Sequence, residues 1–412
     1  MKLKHLHYSW VMVLIALCVL AAHALVIYTF GVFLKPLTAE FNWERGALSG
    51  AFSMYMLLAG LFAILAGRLS DKYGPRIPVT VTGLLAGTGF LLMSRINSLW
   101  QVYLIWALFM GISSSCCLIP VISTIPRWFA KGTGIAVGIT VTGFGLGAII
   151  SPPLAQWLIS AYDWRQAFIT LGLITFIIVI PLAQFMKHSP QRIGLKPYGE
   201  SETIQDKQSS ASATEGLSFK QAIKTGRFWM LGLIHFCFFF CLMVIIVHIV
   251  PHAGDVGILE VVAASILSII AGISIVGRFF MGFISDRVGG RLALSACLTL
   301  ATLSLIWLLF AEETWMFYVF AAVFGFAYGG MVPLAPVITT ELFGLSFLGI
   351  ILAGVMFFGT VGGAVGPILA GSIFDITGSY SLAFLICIIV GTLGIILTLI
   401  LLRYRAKGGK NG

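Results

Sequence analysis

Twelve apolar stretches, each long enough to cross a bilayer as a helix, constrain this chain of 412 residues more than any other feature. A hydrocarbon core of about 30 Å takes about 20 apolar residues in a helix. The stretches fall near 10–34, 46–67, 77–95, 99–125, 133–160, 165–186, 227–252, 258–281, 293–310, 315–340, 346–373 and 380–402. Lipid offers the backbone no hydrogen-bond partners, so only helices and closed barrels span it. A barrel would show short segments of alternating polarity, which these are not. The expected fold class is therefore an all-α membrane protein with twelve transmembrane helices. Charged residues make up only 10% of the chain, too few to cover soluble domains of this size.

The few charges set the orientation. With the amino terminus in the cytoplasm, 20 of the 25 Lys and Arg residues fall on the cytoplasmic side, and Lys35, Arg45, Arg95 and Arg165 lie opposite. That bias is the positive-inside pattern of a multi-pass protein of the cell (inner) membrane with both termini cytoplasmic. The net charge of +10 is then topology and not a nucleic-acid surface. The first apolar run is too long for a cleavable signal and is followed at once by another. All seven cysteines sit in predicted spans without metal-ligand spacing, so no metal and no cofactor are expected. Phosphate-binding Gly-rich loops, zinc-binding His-Glu-x-x-His and nucleophile elbows are missing too, which argues against an enzyme.

A polar, Ser-rich stretch separates six helices from six, giving an N-terminal bundle over 1–187, a cytoplasmic linker over 188–226 and a C-terminal bundle over 227–412. The halves repeat at an offset of 215 or 216. Gly67-Arg-Leu-Ser-Asp71-Lys-Tyr-Gly74-Pro-Arg76 recurs as Gly282-Phe-Ile-Ser-Asp286-Arg-Val-Gly289-Gly-Arg291, and Pro120-Val-Ile-Ser-Thr124 as Pro336-Val-Ile-Thr-Thr340. Six is even, so both copies enter from the same side, as parallel repeats of transporters do. The decapeptide resembles the signature of the major facilitator superfamily. That resemblance implies two parallel six-helix repeats and places the decapeptides in loops after helices 2 and 8, as cytoplasmic gating latches. Gly67, Gly74, Gly282 and Gly289 would allow tight turns, Asp71 and Asp286 would bond a helix terminus or an arginine, and Arg76 and Arg291 would complete the latches or only orient the loops. Small residues four apart, Gly134/Gly138/Thr142 and Gly143/Gly147/Ser151 in helix 5, Gly359/Gly363 and Gly362/Gly366/Ala370 in helix 11, predict close helix packing.

Arg278 is the one Lys or Arg left inside an apolar run. An intramembrane charge is costly and usually faces a water-filled pathway. The rival reading has it snorkel to a headgroup, since Asp286 follows eight residues later, about 12 Å along a helix. The repeat-equivalent residue is Ala63, so the architecture itself does not demand a base at this depth. A guanidinium matches a carboxylate bidentately, and one unpaired cation suits an organic monoanion.

Three further stretches, Arg127-Trp128-Phe129-Ala130-Lys131-Gly132-Thr133-Gly134, Tyr8-Ser9-Trp10 and Arg278-Phe-Phe-Met-Gly282, resemble the monocarboxylate transporter family, in particular a bacterial homologue of the proton-coupled lactate carriers. The resemblance implies symport of a small monocarboxylate anion, L-lactate or pyruvate in type, with a proton, by a monomer in the lipid bilayer. Departures matter here. Tyr28 stands where animal carriers have a functional lysine, and Ser274, one turn before Arg278, where they have a proton-linked aspartate. Tyr28, Tyr328 and Ser274 join Arg278 as substrate-binding candidates. His248 and His252 at four-residue spacing, with Asp255 three further on, share one helix face and are the proton-coupling candidates. An oxalate/formate-type or other organic-anion exchanger is the alternative; that branch typically adds a lysine in helix 11, and none lies between Phe347 and Phe374.

Overall fold

The computed structural model describes residues 7–129, 133–199, 217–344 and 348–403, without the side chains of Ile64, Arg68, Asp71, Thr133, Asp286 and Leu348. Among these residues twelve helices are long and apolar enough to cross a membrane. They are α1 (Tyr8–Phe41), α2 (Arg45–Tyr73), α3 (Arg76–Met93), α4 (Leu99–Trp128), α5 (Thr133–Ala161) and α6 (Trp164–Phe185), followed by α7 (Gly226–Asp255), α8 (Glu260–Val288), α9 (Gly290–Leu308), α10 (Thr314–Phe343), α11 (Leu348–Thr377) and α12 (Ser381–Arg403). The all-α membrane fold read from the sequence is the fold found.

Helix ends differ from that reading in an informative way. The first seven residues of each decapeptide finish α2 and α8 as helix and do not form a loop. Nothing from Gly67 to Tyr73 breaks a helix except one glycine, which costs about 1 kcal/mol. The chain turns only where the backbone becomes left-handed, at Gly74 (φ 87°) and its repeat mate Gly289 (φ 89°). α1 likewise runs past its expected end, bending where the Thr29 hydroxyl donates to the Leu25 carbonyl at 2.7 Å.

The chain divides into two compact units, the first comprising 1–43 and 50–209, the second 44–49 and 210–412. In the first, α1 packs along α5 and α3 along α6; in the second, α7 packs along α11, α9 along α12 and α8 along α10. The glycine pattern explains the closeness. A Cβ on Gly147 would stand 2.1 Å from the Ala21 carbonyl oxygen, and one on Gly362 would stand 2.3 Å from that of Phe236. Both members of the second pair lie 215 residues after those of the first, so the contact itself is repeated. Backbones this near tolerate no side chain between them.

The Tyr8-Ser9-Trp10 entry and the Trp128-Phe129 signature meet in the first unit. Ser9 Oγ donates to the Trp128 carbonyl at 2.9 Å, and Trp10 lies edge-on to Phe129 at 5.2 Å. These two motifs tie α1 to the end of α4. Ala130, Lys131 and Gly132 of the same signature lie outside the described residues.

Candidate functional site

Arg278 is carried by a helix whose backbone lies directly against that of its neighbour. A Cβ on Gly277 would stand 2.2 Å from the Phe326 carbonyl oxygen, and one on Gly329 would stand 1.9 Å from that of Ser274. α8 and α10 therefore touch backbone to backbone over the turn preceding the arginine. Arg278 is half-buried, and its Nε is enclosed without a hydrogen-bond partner among the described residues. Nor does any described carboxylate pair with it. An enclosed donor left unmade is expensive, more so when charged. The arrangement offers a fixed cation and a planar fork lacking an acceptor, which a carboxylate would supply.

A second group of charges gathers at the end of α7 and is fully connected. The Arg45 guanidinium, at the start of α2, holds Asp255 through both oxygens, Nη1 to Oδ2 at 2.5 Å and Nη2 to Oδ1 at 3.0 Å. It also donates to the Tyr380 hydroxyl at 3.0 Å and lies 3.8 Å over the Phe374 ring. Asp375 accepts the backbone N–H groups of Arg45 and Gly46 at 2.8 and 2.6 Å, capping α2 from another helix. The first N–H groups of a helix have no partner within it, and a carboxylate there also opposes the helix dipole. Glycine permits the approach: a Cβ on Gly46 would stand 2.7 Å from the Ser372 backbone nitrogen. Burial holds the Tyr380 phenol above its ordinary pKa despite the nearby guanidinium, so it remains a neutral donor.

The two histidines sit in different circumstances. His248 is fully buried, its Nε2 2.9 Å from the Pro367 carbonyl oxygen and its Nδ1 3.0 Å from the Tyr380 hydroxyl. A carbonyl only accepts, so Nε2 carries the hydrogen and Nδ1 takes the phenol's, the pattern of a neutral, satisfied imidazole. His252 packs against the rings of Phe317, Tyr380 and Phe384, and its enclosed Nε2 has no partner among the described residues. The structure thus brings the three sequence candidates His248, His252 and Asp255 together and adds Arg45, Asp375 and Tyr380, which sequence reasoning missed. One signal was present: a basic residue opening a helix faces an unfavourable dipole and so needs acids nearby.

Comparison with known proteins places this architecture. The chain matches the sequence profile of the Major Facilitator Superfamily over residues 16–290 and again over 253–412. It belongs to the Major Facilitator Superfamily. It is 29% identical over 399 residues to monocarboxylate transporter 13 of Rattus norvegicus, covering 95% of this chain and 89% of that one. It is 28% identical over 405 residues to monocarboxylate transporter 12 of Mus musculus, covering 92% and 82%. Among solved structures, a bacterial homologue of the human lysosomal transporter Spinster superposes with a TM-score of 0.76 at 16% identity, over 98% of this chain and 99% of that one. The protein is a multi-pass membrane transporter of the superfamily, similar to its monocarboxylate transporters.

The remaining candidates of this transporter are spread more widely. Ser274 is buried, and its hydroxyl donates to the Ala271 carbonyl at 2.7 Å, inside its own helix. Tyr328 stacks on Phe238 at 6.2 Å and borders, with Cys237, Cys241 and Thr302, a cleft of about 10 Å³. Tyr28 is buried in the first unit, edge-on to Phe144 at 5.7 Å. In the superfamily decapeptides, Arg76 Nε donates to Gln184 Oε1 at 2.8 Å, and Arg291 Nε pairs with Glu341 at 3.3 Å. Each arginine is therefore engaged inside its own unit. Gly67 and Gly282 lie within helices, while Gly74 and Gly289 make the turns.

Proposed function

We propose that this transporter carries a small monocarboxylate, L-lactate or pyruvate in type, together with a proton, by alternating access across the cell (inner) membrane with both termini cytoplasmic. The observation that carries the reading is the enclosed, unpartnered Nε of Arg278 in a chain similar along its length to monocarboxylate transporters. Its guanidinium grips the carboxylate, and one such cation suits one negative charge. A dianion would call for a second cation, and α11 offers no lysine.

The proton's acceptor belongs to the group at the end of α7. Arg278 cannot release a proton at physiological pH, and His248 has both ring nitrogens engaged. His252, with Asp255 three residues on, is the candidate whose ring is not committed to such a pair of hydrogen bonds. The Gly74 and Gly289 turns, with Asp71 and Asp286 beside them, act as gating latches. Uptake of a monocarboxylate panel into proteoliposomes under imposed pH and voltage gradients tests the whole reading. Electroneutral accumulation driven by the pH gradient is expected; accumulation that follows voltage alone would refute proton symport.

A further inference from the structure

The second unit opens, beside His252, into a hollow of about 570 Å³ bordered by Glu312, Glu313, Ser379, Ser381 and Phe384. Glu312 and Glu313 are exposed and also border a neighbouring hollow of about 640 Å³, so they stand between two bodies of solvent. His252 lines the first hollow while its Nε2 is enclosed and unpartnered. Two carboxylates and an imidazole border one hollow, a set of groups suited to a cation small enough to be passed to a ring lone pair.

The repeat shows that this set is not a by-product of the fold. At the 215-residue offset, His252 corresponds to Leu37, Glu312 and Glu313 to Asn97 and Ser98, and Ser379 to Trp164. None of the four counterparts in the first unit is ionisable. The other charged or titratable groups around His252 are Asp255 and His248 on α7, Arg45 at the start of α2 and Tyr380 before α12. Arg45 is already neutralised by Asp255 at 2.5 Å, so it does not bar a positive charge from entering.

We propose that this hollow is the port through which the transporter takes up its proton, Glu312 and Glu313 gathering hydronium at the mouth and the His252 ring accepting its proton. The port rests on the proton-symport reading above and deepens it. Hydronium gives one proton to the neutral imidazole, leaving water and an imidazolium that faces Asp255. Carboxylates at the entrance raise the local concentration of cations and speed their arrival. Within about 10 Å at 0.1 M salt that field is felt, and beyond it is screened. The exposed glutamates therefore govern the rate of proton delivery and leave the final accumulation ratio untouched.

The test uses the full-length protein in proteoliposomes. In weak external buffer and low salt, Glu312→Gln/Glu313→Gln should slow pH-driven lactate uptake by about threefold or more. Strong buffer or high salt should close that gap, and lactate/lactate exchange at equal pH should keep its rate. Equal uptake rates in weak buffer, or a gap that buffer and salt leave unchanged, would overturn the port. A wild-type protein that accumulates lactate on a sodium gradient but not on a pH gradient would overturn it too, while leaving the carboxylate reading intact. Wild-type protein that moves no monocarboxylate would bring down the reading beneath. An independent measurement needs no transport: diethylpyrocarbonate added outside should acylate His252 and spare His248, and Ser379→Trp should slow the reaction by narrowing the mouth. A His252 that resists the reagent in the wild type would also sink the proposal.

Discussion

The two units share a plan and differ in chemistry, and the differences collect in the second. At the end of α1, Glu40 pairs with Arg165 at 2.7 Å. Moved by 215 residues, that pair becomes Asp255 and Tyr380. The acid is retained, but its base has become a phenol, and Arg45 supplies the missing cation. In the same register Phe33 becomes His248, Leu37 becomes His252 and Ala63 becomes Arg278. The first unit fills these places with packing: Phe33 stacks on Phe168 at 3.8 Å. The second fills them with groups that bind charge or hydrogen, so the first unit shows that the scaffold itself does not need them there.

The largest effect should come from the residue with the least counterpart. Arg278→Gln removes a charge whose mate in the first unit is an apolar Ala63, so folding and extraction should survive. Loss of a desolvated charge-to-charge contact costs about 2–5 kcal/mol, roughly 30-fold to several thousand-fold in carboxylate affinity. Arg278→Lys should recover little of it, since an ammonium lacks the fork. Normal uptake by the Gln variant, measured in proteoliposomes, would return Arg278 to a snorkelling role.

Next comes the borrowed pair. Asp255→Asn leaves Arg45, with a side chain 10% exposed, facing a neutral amide. Removing one partner of a buried pair costs about 3–5 kcal/mol, and the 27% exposure of Asp255 reduces this to about 2–3. Thermal unfolding in detergent should show the loss, and Arg45→Gln/Asp255→Asn should be more stable than Asp255→Asn alone, a coupling that a double-mutant cycle reads. Additive effects would mean that the two side chains act separately.

How much of this was legible depended on the range of each signal. Twelve spans, the repeat and the glycine stripes are written within windows of a few turns; α5 on α1 and α11 on α7 bear out the stripes at Gly143, Gly147, Gly362 and Gly366, whereas a Cβ on Gly138 would meet nothing within 4 Å, so the Gly134/Gly138/Thr142 stripe is not a packing seam there. Arg278 was visible because its surroundings in the chain are apolar. Helical spacing put His248, His252 and Asp255 on one face. Arg45 was not visible as their partner, because Asp255 lies 210 residues away and Asp375 lies 330. Nor did spacing tell the satisfied His248 from the vacant His252, since that depends on the Pro367 carbonyl and the Tyr380 hydroxyl, both over 100 residues distant.

The shared plan predicts equal damage where the units are alike. Gly147→Ala and Gly362→Ala place a Cβ about as close to a backbone carbonyl in each unit, 2.1 and 2.3 Å before relaxation. Overpacking of this kind costs about 1–3 kcal/mol. The two variants should therefore lose similar amounts of thermal stability, and a several-fold disparity would show that only one of the repeated contacts bears on folding.

The smallest effect should fall on the first unit's own ion pair, and this contrast tests the comparison most directly. Glu40→Gln removes the repeat mate of Asp255, yet Glu40 and Arg165 are 39% and 41% exposed, so water screens both charges. Exposed pairs are worth about 0–1 kcal/mol. Arg165 also keeps its place over the Trp164 ring, 4.1 Å from the centroid, after the carboxylate is gone. The Gln side chain retains an oxygen that can accept from Trp164 Nε1, which now donates to Glu40. A shift within about 0.5 kcal/mol and unchanged lactate uptake are expected. Should Glu40→Gln cost as much stability as Asp255→Asn, or flatten the pH dependence of uptake, the acid at the end of α1 would share the work assigned here to the end of α7, and the division between scaffold and function would have to be redrawn across both units.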